Sequence, residues 1–290
     1  MSYKDYVCYI HTDSLMTKGF EWLRDNGVDE EKWEKLSLEQ MLEYIKRIAK
    51  EVEKYVNERT FEETQKIHYN SQVFDFATTF EQEKIALSGL FKDKGRYATW
   101  TLTDEGKWKD EMSVTGLEII RSDSPEVVKP LIKKVLEMLL KHYPDEEVKK
   151  YITQCKKELR QYSPEEIAEN KGINKLEIYT NGSEYKKGTP HHIKGVANFK
   201  FLLNRFNLEN EYDIPQNGNK AKVLYVQRNP FNIESLSVMN WPKEFDKFGI
   251  HVDYEKMIQN NFTKKVNNLL EVIGKEGLLN KNADITTLFK

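Results

Sequence analysis

Residues 9–15 read Tyr9-Ile10-His11-Thr12-Asp13-Ser14-Leu15. Apolar positions (Tyr6, Val7, Tyr9, Ile10) precede a polar tetrad, and Leu15 and Met16 follow it. Short apolar runs on either side of a polar centre predict strand, tight turn, strand. A hairpin turn is a rigid place to hold a carboxylate, and a carboxylate is a hard oxygen ligand suited to Mg²⁺. An aspartate in a turn also serves as an Asx-turn or cap residue, so the tetrad alone leaves both readings open.

The 290 residues suffice for one large domain or two ordinary ones. Hydrophobic residues make up 39% and aromatics 12%, enough for a real core, while 32% charged residues predict a heavily solvated surface. No run approaches the length that spans a bilayer, and no signal-peptide pattern opens the chain. Cys8 and Cys155 lie far apart and read as free thiols in a reducing compartment. His191-His192 has no partners at zinc spacing. A net charge of −2 argues against a protein basic all over, so any nucleic-acid contact must come from a local basic stripe.

Beyond the hairpin, an amphipathic stretch runs from Lys18 to Asn26. Ser37 and Gln40 then form a capping-box signature. Leu38, Met41, Leu42, Ile45, Ile48, Ala49, Val52, Tyr55 and Val56 follow at helical spacing, which predicts a long helix with one buried face. Val73 to Ile120 is β-rich, with a turn at Asp104-Glu105-Gly106. Ser124-Pro125-Glu126 carries a cap and an N1 proline, and helix is predicted from there to about Tyr162. Ser163-Pro164-Glu165 opens another helix by the same signature. Helices are predicted again near Ile193–Arg205 and Asp253–Ile273, with a strand near Val223–Val226. The expected class is α+β, with a boundary between Gly116 and Ser124.

Four further segments carry candidate chemistry. Phe80 to Ile85 reads as a strand on which Glu81 and Glu83 share a face; a solvated strand face reads the same way. In Lys92-Asp93-Lys94-Gly95-Arg96-Tyr97, alternating cations followed by an aromatic can grip phosphate and sugar along a minor groove. A solvated turn is the other reading. Gly116 to Pro125 joins the β-rich half to a capped helix and includes Arg121. Thr189-Pro190-His191-His192-Ile193-Lys194-Gly195 precedes a helix, with Lys186 and Lys187 nearby, and Gly195 lets backbone approach backbone.

Taken together and in this order, these segments resemble the C-terminal portion of a family B DNA polymerase. The tetrad resembles the family's YxDTDS hairpin, with Asp13 at the second aspartate and His11 in place of the first. Lys94, Arg96 and Tyr97 match the KKRY motif, where Gly95 replaces the second lysine. Gly116 to Pro125 resembles the palm-to-thumb junction, and residues 189–195 resemble the thumb of T-even-phage-like members. The resemblance implies an incomplete palm over residues 1–120, an antiparallel sheet with packing helices, and a mostly helical thumb over 121–290.

The resemblance implies Asp13 as a catalytic metal ligand for Mg²⁺ and Glu83 as an auxiliary carboxylate. It implies DNA contacts for Thr12, Lys94, Arg96, Tyr97, Arg121, Lys186, Lys187 and Lys194. The substrates implied are primer-template DNA and a dNTP. The DxxSLYP and Kx₃NSxYG segments are absent from these 290 residues. The expectation is therefore a split-polymerase subunit that completes its site on an N-terminal polymerase chain, in the host cytoplasm. The alternative is a non-catalytic subunit that holds primer-template DNA, in which His11 marks a degenerate metal site. Ile285, Leu288 and Phe289 of the C-terminal tail are candidate anchors for a sliding clamp.

Overall fold

The computed structural model describes residues 7–11, 14–25, 29–67, 79–117, 124–181 and 184–279. Contacts divide the chain into two compact units, Met1–Thr115 and Gly116–Lys290. Helices combine with sheets whose pairings among the described residues are all antiparallel, so the class is α+β.

In the first unit, β1 (Val7–His11) pairs antiparallel with β2 (Ser14–Thr17), the hairpin expected from the apolar runs around the tetrad. Two short helices, α1 (Gly19–Asp25) and α2 (Glu30–Glu34), lead to α3 (Leu38–Ile67). The capping box closes as the sequence predicts: Gln40 Oε1 accepts from the Ser37 N–H at 2.9 Å, and Ser37 Oγ accepts from the Gln40 N–H at 3.3 Å. The helix runs eleven residues past Val56, where apolar periodicity has faded. That extension carries charge pairs at helical spacing instead, including Arg59 with Glu62 and Glu63, and Lys66 with Glu63.

A three-stranded meander follows: β3 (Lys84–Asp93), β4 (Arg96–Asp104) and β5 (Lys107–Thr115). The central strand, β4, alternates by face. Leu102 and Trp100 join Ile85 in a cluster against Leu38, Leu42 and Ile45 of α3, while Thr99, Thr101 and Thr103 are buried on the opposite face. Thr99 and Thr101 satisfy each other through their hydroxyls at 3.0 Å. The strand expected over Phe80–Ile85 begins only at Lys84, so Glu81 and Glu83 precede it. The reason is a side-chain tie. Asn57 of α3 donates Nδ2–H to the Phe80 carbonyl at 2.9 Å and accepts the Phe80 N–H on Oδ1 at 2.6 Å. An amide side chain thus occupies both backbone groups that a neighbouring strand would use. Asn57→Ala is expected to cost about 2 kcal/mol, because it leaves two partly buried backbone groups unpaired. Chemical denaturation checks the loss, and faster amide exchange at Phe80 locates it. Val73, Phe74 and Phe76 lie outside the described residues.

In the second unit, α4 (Val128–Leu140) and α5 (Asp145–Leu159) pack together, and α9 (Lys264–Val272) lies against α4. Strands β6 (Glu169–Gly172), β9 (Lys220–Tyr225) and β10 (Ser235–Val238) form a sheet in the order β10-β9-β6. Helix α7 (His191–Phe206) packs on β10. Between β6 and α7 lie α6 (Leu176–Tyr179) and the small hairpin β7 (Thr180–Asn181) and β8 (Glu184–Tyr185). Helix α8 (Tyr254–Ile258) continues through a π-helical turn, Gln259–Thr263, into α9.

Two helix starts differ from the sequence reading. Ser124 does not cap α4, which begins at Val128; its hydroxyl instead accepts from the Lys265 amine at 2.8 Å. At Ser163 only half of a capping box forms, with Glu166 Oε2 accepting from both the Ser163 N–H and Oγ–H at 2.8 Å while the Glu166 N–H goes to the Ser163 carbonyl, and no helix follows. The chain turns instead into β6, whose pairing with β9 outweighs the local signal.

Candidate nucleic-acid interface

The β1–β2 hairpin brings its flanks into register as Tyr9↔Met16, Ile10↔Leu15 and His11↔Ser14. Thr12 and Asp13 connect those flanks and lie outside the described residues, as does Arg121.

The second component is the β3–β4 turn. Asp93 pairs with Arg96, leaving Lys94 and Gly95 as a two-residue loop. Gly95 has φ +69° and Lys94 has no positive φ, so only the second loop residue sits in the left-handed region. Hairpin loops with both central residues left-handed match strand twist best, and this one departs from that geometry. The Lys94 N–H is held by the Asp93 carboxylate at 2.7 Å. The Lys94 and Arg96 side chains are exposed.

The structure brings these components together. The Tyr9 hydroxyl accepts the Gly95 N–H at 2.6 Å across 86 residues of sequence. The Tyr9 ring stacks on Phe91, with centroids 5.2 Å apart, and tilts against Tyr97 at 5.3 Å. Phe91 and Tyr97 are themselves cross-strand neighbours. Gly89 leaves room for this cluster, because a Cβ there would lie 2.7 Å from the Phe91 ring. Beside the rings runs an open groove of about 650 Å³, lined by residues 8–10 of β1 and 91–94 of the β3–β4 hairpin. One strand face of a nucleic acid could lie here, with Ile10 and the rings below the sugars and the cations on phosphate.

Glu83 is placed elsewhere. It precedes β3 at the end opposite Lys94, about 30 Å away for a ten-residue strand. Its carboxylate lies 3.4 Å from the Lys84 amine, which is also 3.7 Å from Asp104. Burial works against the charge on Lys84, yet Asp104 and Glu83 together hold its pKa above the ordinary lysine value. The geometry thus gives Glu83 an ion-pairing role at the far end of the sheet. Among the described residues no group of three His, Cys, Asp or Glu side chains could hold a metal.

In the second unit, Lys186, Lys187 and Lys194 come together where β8 leads into α7. Lys194 Nζ sits 5.5 Å from the Tyr185 ring centroid, and Tyr185 adjoins Lys186 in sequence. The Lys186 amine is partly committed, donating to the Ile178 carbonyl at 2.7 Å. Lys187 is exposed. Gly195 lies directly on the backbone of Leu236 and Ser237, the close approach its sequence position suggests.

Residues 35–273 match the family model described as DNA polymerase family B. The chain belongs to the family B DNA polymerases. A DNA polymerase of Thermococcus sp. (strain 9oN-7) is 29% identical over 149 residues, which are 51% of this chain and 16% of that protein. One from Pyrococcus horikoshii is 28% identical over 201 residues, 67% of this chain and 14% of that protein. One from Pyrococcus glycovorans is 35% identical over 111 residues, 38% of this chain and 13% of that protein. The chain therefore covers only a small part of the length of these polymerases. The residues that sequence reading passed over are Tyr9 as a contact to the Lys94–Gly95 turn, Phe91 and Gly89. No local signal marks Tyr9 for this contact, because its partner lies 86 residues away in sequence.

Proposed function

We propose that this chain is the C-terminal part of a DNA-directed DNA polymerase, with the end of the palm in residues 1–120 and the thumb in 121–290. The observation that carries this reading is the contact between Tyr9 and the Lys94–Gly95 turn. It sets the hairpin that leads into Asp13 beside a cationic corner suited to a primer strand. On this reading Lys94, Arg96, Tyr97, Thr12 and Arg121 contact the primer. Lys186, Lys187 and Lys194 face duplex phosphates. The segment 189–195 supports a T-even-phage-like thumb.

Asp13 would hold Mg²⁺, for which a hard carboxylate at a hairpin tip is a suitable donor. The ion would supply Lewis-acid stabilisation of the transferring phosphoryl group. One carboxylate is not a complete two-ion site. The remaining aspartate, the dNTP-binding helix and the exonuclease would come from an N-terminal polymerase chain. Glu83 would serve as an auxiliary carboxylate that shapes the field around the ion, and its described contact is with the Lys84 amine. The clamp contact of Ile285, Leu288 and Phe289 lies outside the described residues and is kept as part of the proposal. No helix among the described residues is long and apolar enough to cross a membrane, and replication in the host cytoplasm belongs to the same reading.

His11 favours a second reading, a subunit that holds primer-template DNA without metal chemistry, because imidazole is a poor Mg²⁺ donor. Both readings require duplex binding. The full chain is expected to bind a fluorescent primer-template duplex with an affinity that falls steeply with salt. Replacing both Lys94 and Arg96 by alanine should weaken binding about tenfold and flatten the log–log salt slope by about 1.8, the share of two phosphates. Absence of binding at low salt would contradict both readings. Mg²⁺-dependent incorporation separates them.

A further inference from the structure

The Gly95 N–H belongs to the central peptide of the Lys94–Gly95 loop, the one peptide of a two-residue turn that no strand partner fixes. Such a peptide can rotate between turn types, and a glycine offers little resistance because both signs of φ are open to it. A Cβ at Gly95 would meet nothing within 4 Å, so packing does not hold the loop either. The 2.6 Å bond from Gly95 to the Tyr9 hydroxyl does. The acceptor is itself held rigidly, since its ring lies against both Phe91 and Tyr97. Tyr9 is thus anchored by its ring and reaches the loop by its hydroxyl.

We propose that Tyr9 is a positioning residue: its hydroxyl locks the Lys94–Gly95 peptide in one orientation and so aims the Lys94 cation at a single phosphate of the bound strand. This rests on the reading of Lys94 and Arg96 as a DNA contact. It also explains how a glycine serves at this corner. A freely rotating loop would spread the Lys94 ammonium over many directions and dilute its contact. The tie also joins the ribbon that leads to Asp13 to the turn that grips the strand, so the two keep a fixed spacing.

Tyr9→Phe tests this cleanly, because it keeps the ring stack and removes only the acceptor. Four full-length chains are compared in salt-titrated binding of a primer-template duplex: wild type, Tyr9→Phe, Lys94→Ala and the double variant. Tyr9→Phe is expected to bind about fivefold more weakly and to flatten the salt slope by about 0.9, one phosphate's worth. On the Lys94→Ala background it should add almost nothing, because the cation it aims is gone. A merely structural role would weaken both backgrounds alike. The second measurement needs no DNA: the Gly95 amide should exchange at least about tenfold faster in Tyr9→Phe.

Unchanged exchange would overturn the tie whatever the binding results. If the wild type binds and Tyr9→Phe binds equally well, or its effect adds in full to that of Lys94→Ala, the positioning role is overturned and the polymerase reading stands. A wild-type chain that ignores the duplex overturns both.

Discussion

Gly195→Ala is expected to destabilise the second unit by about 2 kcal/mol. A methyl group there would lie 2.5 Å from the Ser237 hydroxyl, 2.7 Å from Ser237 N and 2.9 Å from the Leu236 carbonyl carbon. Two of these atoms are backbone of β10 and cannot turn aside. The helix is also fixed on that strand by polar bonds: the Ser237 hydroxyl donates to the His192 carbonyl at 2.7 Å, and Asn198 donates to the Ser235 carbonyl at 3.1 Å. Alanine is the better helix former by about 1 kcal/mol, which works in the variant's favour. Overpacking against backbone costs about 3 kcal/mol and outweighs it. A thermal midpoint lower by about 4–8 °C is the expected reading. Gly277→Ala serves as the control, since nothing lies within 4 Å of its added methyl, and it should leave the midpoint nearly unchanged. Equal midpoints for the two variants would show that α7 can slide on β10.

Asp13→Ala has the other large effect, on rate rather than stability. In the assembled polymerase it should slow single-nucleotide incorporation by roughly 10³-fold, about 4 kcal/mol of lost transition-state stabilisation. The removed group is a hard oxygen donor, and His11, at the other acidic position of the motif, carries an imidazole that prefers softer metals. Duplex affinity measured without metal should change less than about threefold, because phosphate contacts carry it. Retention of incorporation in Asp13→Ala would end the metal role.

Much of this architecture is legible in the sequence wherever a local signal and its tertiary partner agree. The hairpin could be read from Tyr9-Ile10 and Leu15-Met16, and the start of α3 from Ser37 and Gln40, because each signal is completed within a few residues. The end of α3 was not legible. Beyond Val56 its stability comes from charge pairs such as Arg59 with Glu63, and a charged run looks the same in a loop. Ser124 and Ser163 carry the same cap signature, and each is diverted. Ser124 is taken by Lys265, 141 residues away, and the chain after Ser163 is drawn into the β6–β9 ladder.

The site divides in the same way. Lys94, Arg96 and Tyr97 could be singled out because they are adjacent in sequence. The Tyr9–Gly95 bond could not, because a phenol is marked by nothing local as an acceptor for an amide 86 residues on. Glu83 shows the converse. Its alternation with Glu81 suggested a shared strand face, but the Asn57 tie to Phe80 delays the strand and leaves Glu83 beside Lys84.

The central claim is that this chain supplies part of a nucleotidyl-transfer site that another polymerase chain completes. Single-turnover incorporation of one dNTP onto a primer-template tests it most directly, with each chain alone and with the two mixed. The partner is a chain carrying the family's fingers and remaining palm. The account predicts Mg²⁺-dependent incorporation by the mixture and none by either chain alone. Incorporation by the partner chain alone, at the rate of the mixture, would contradict it.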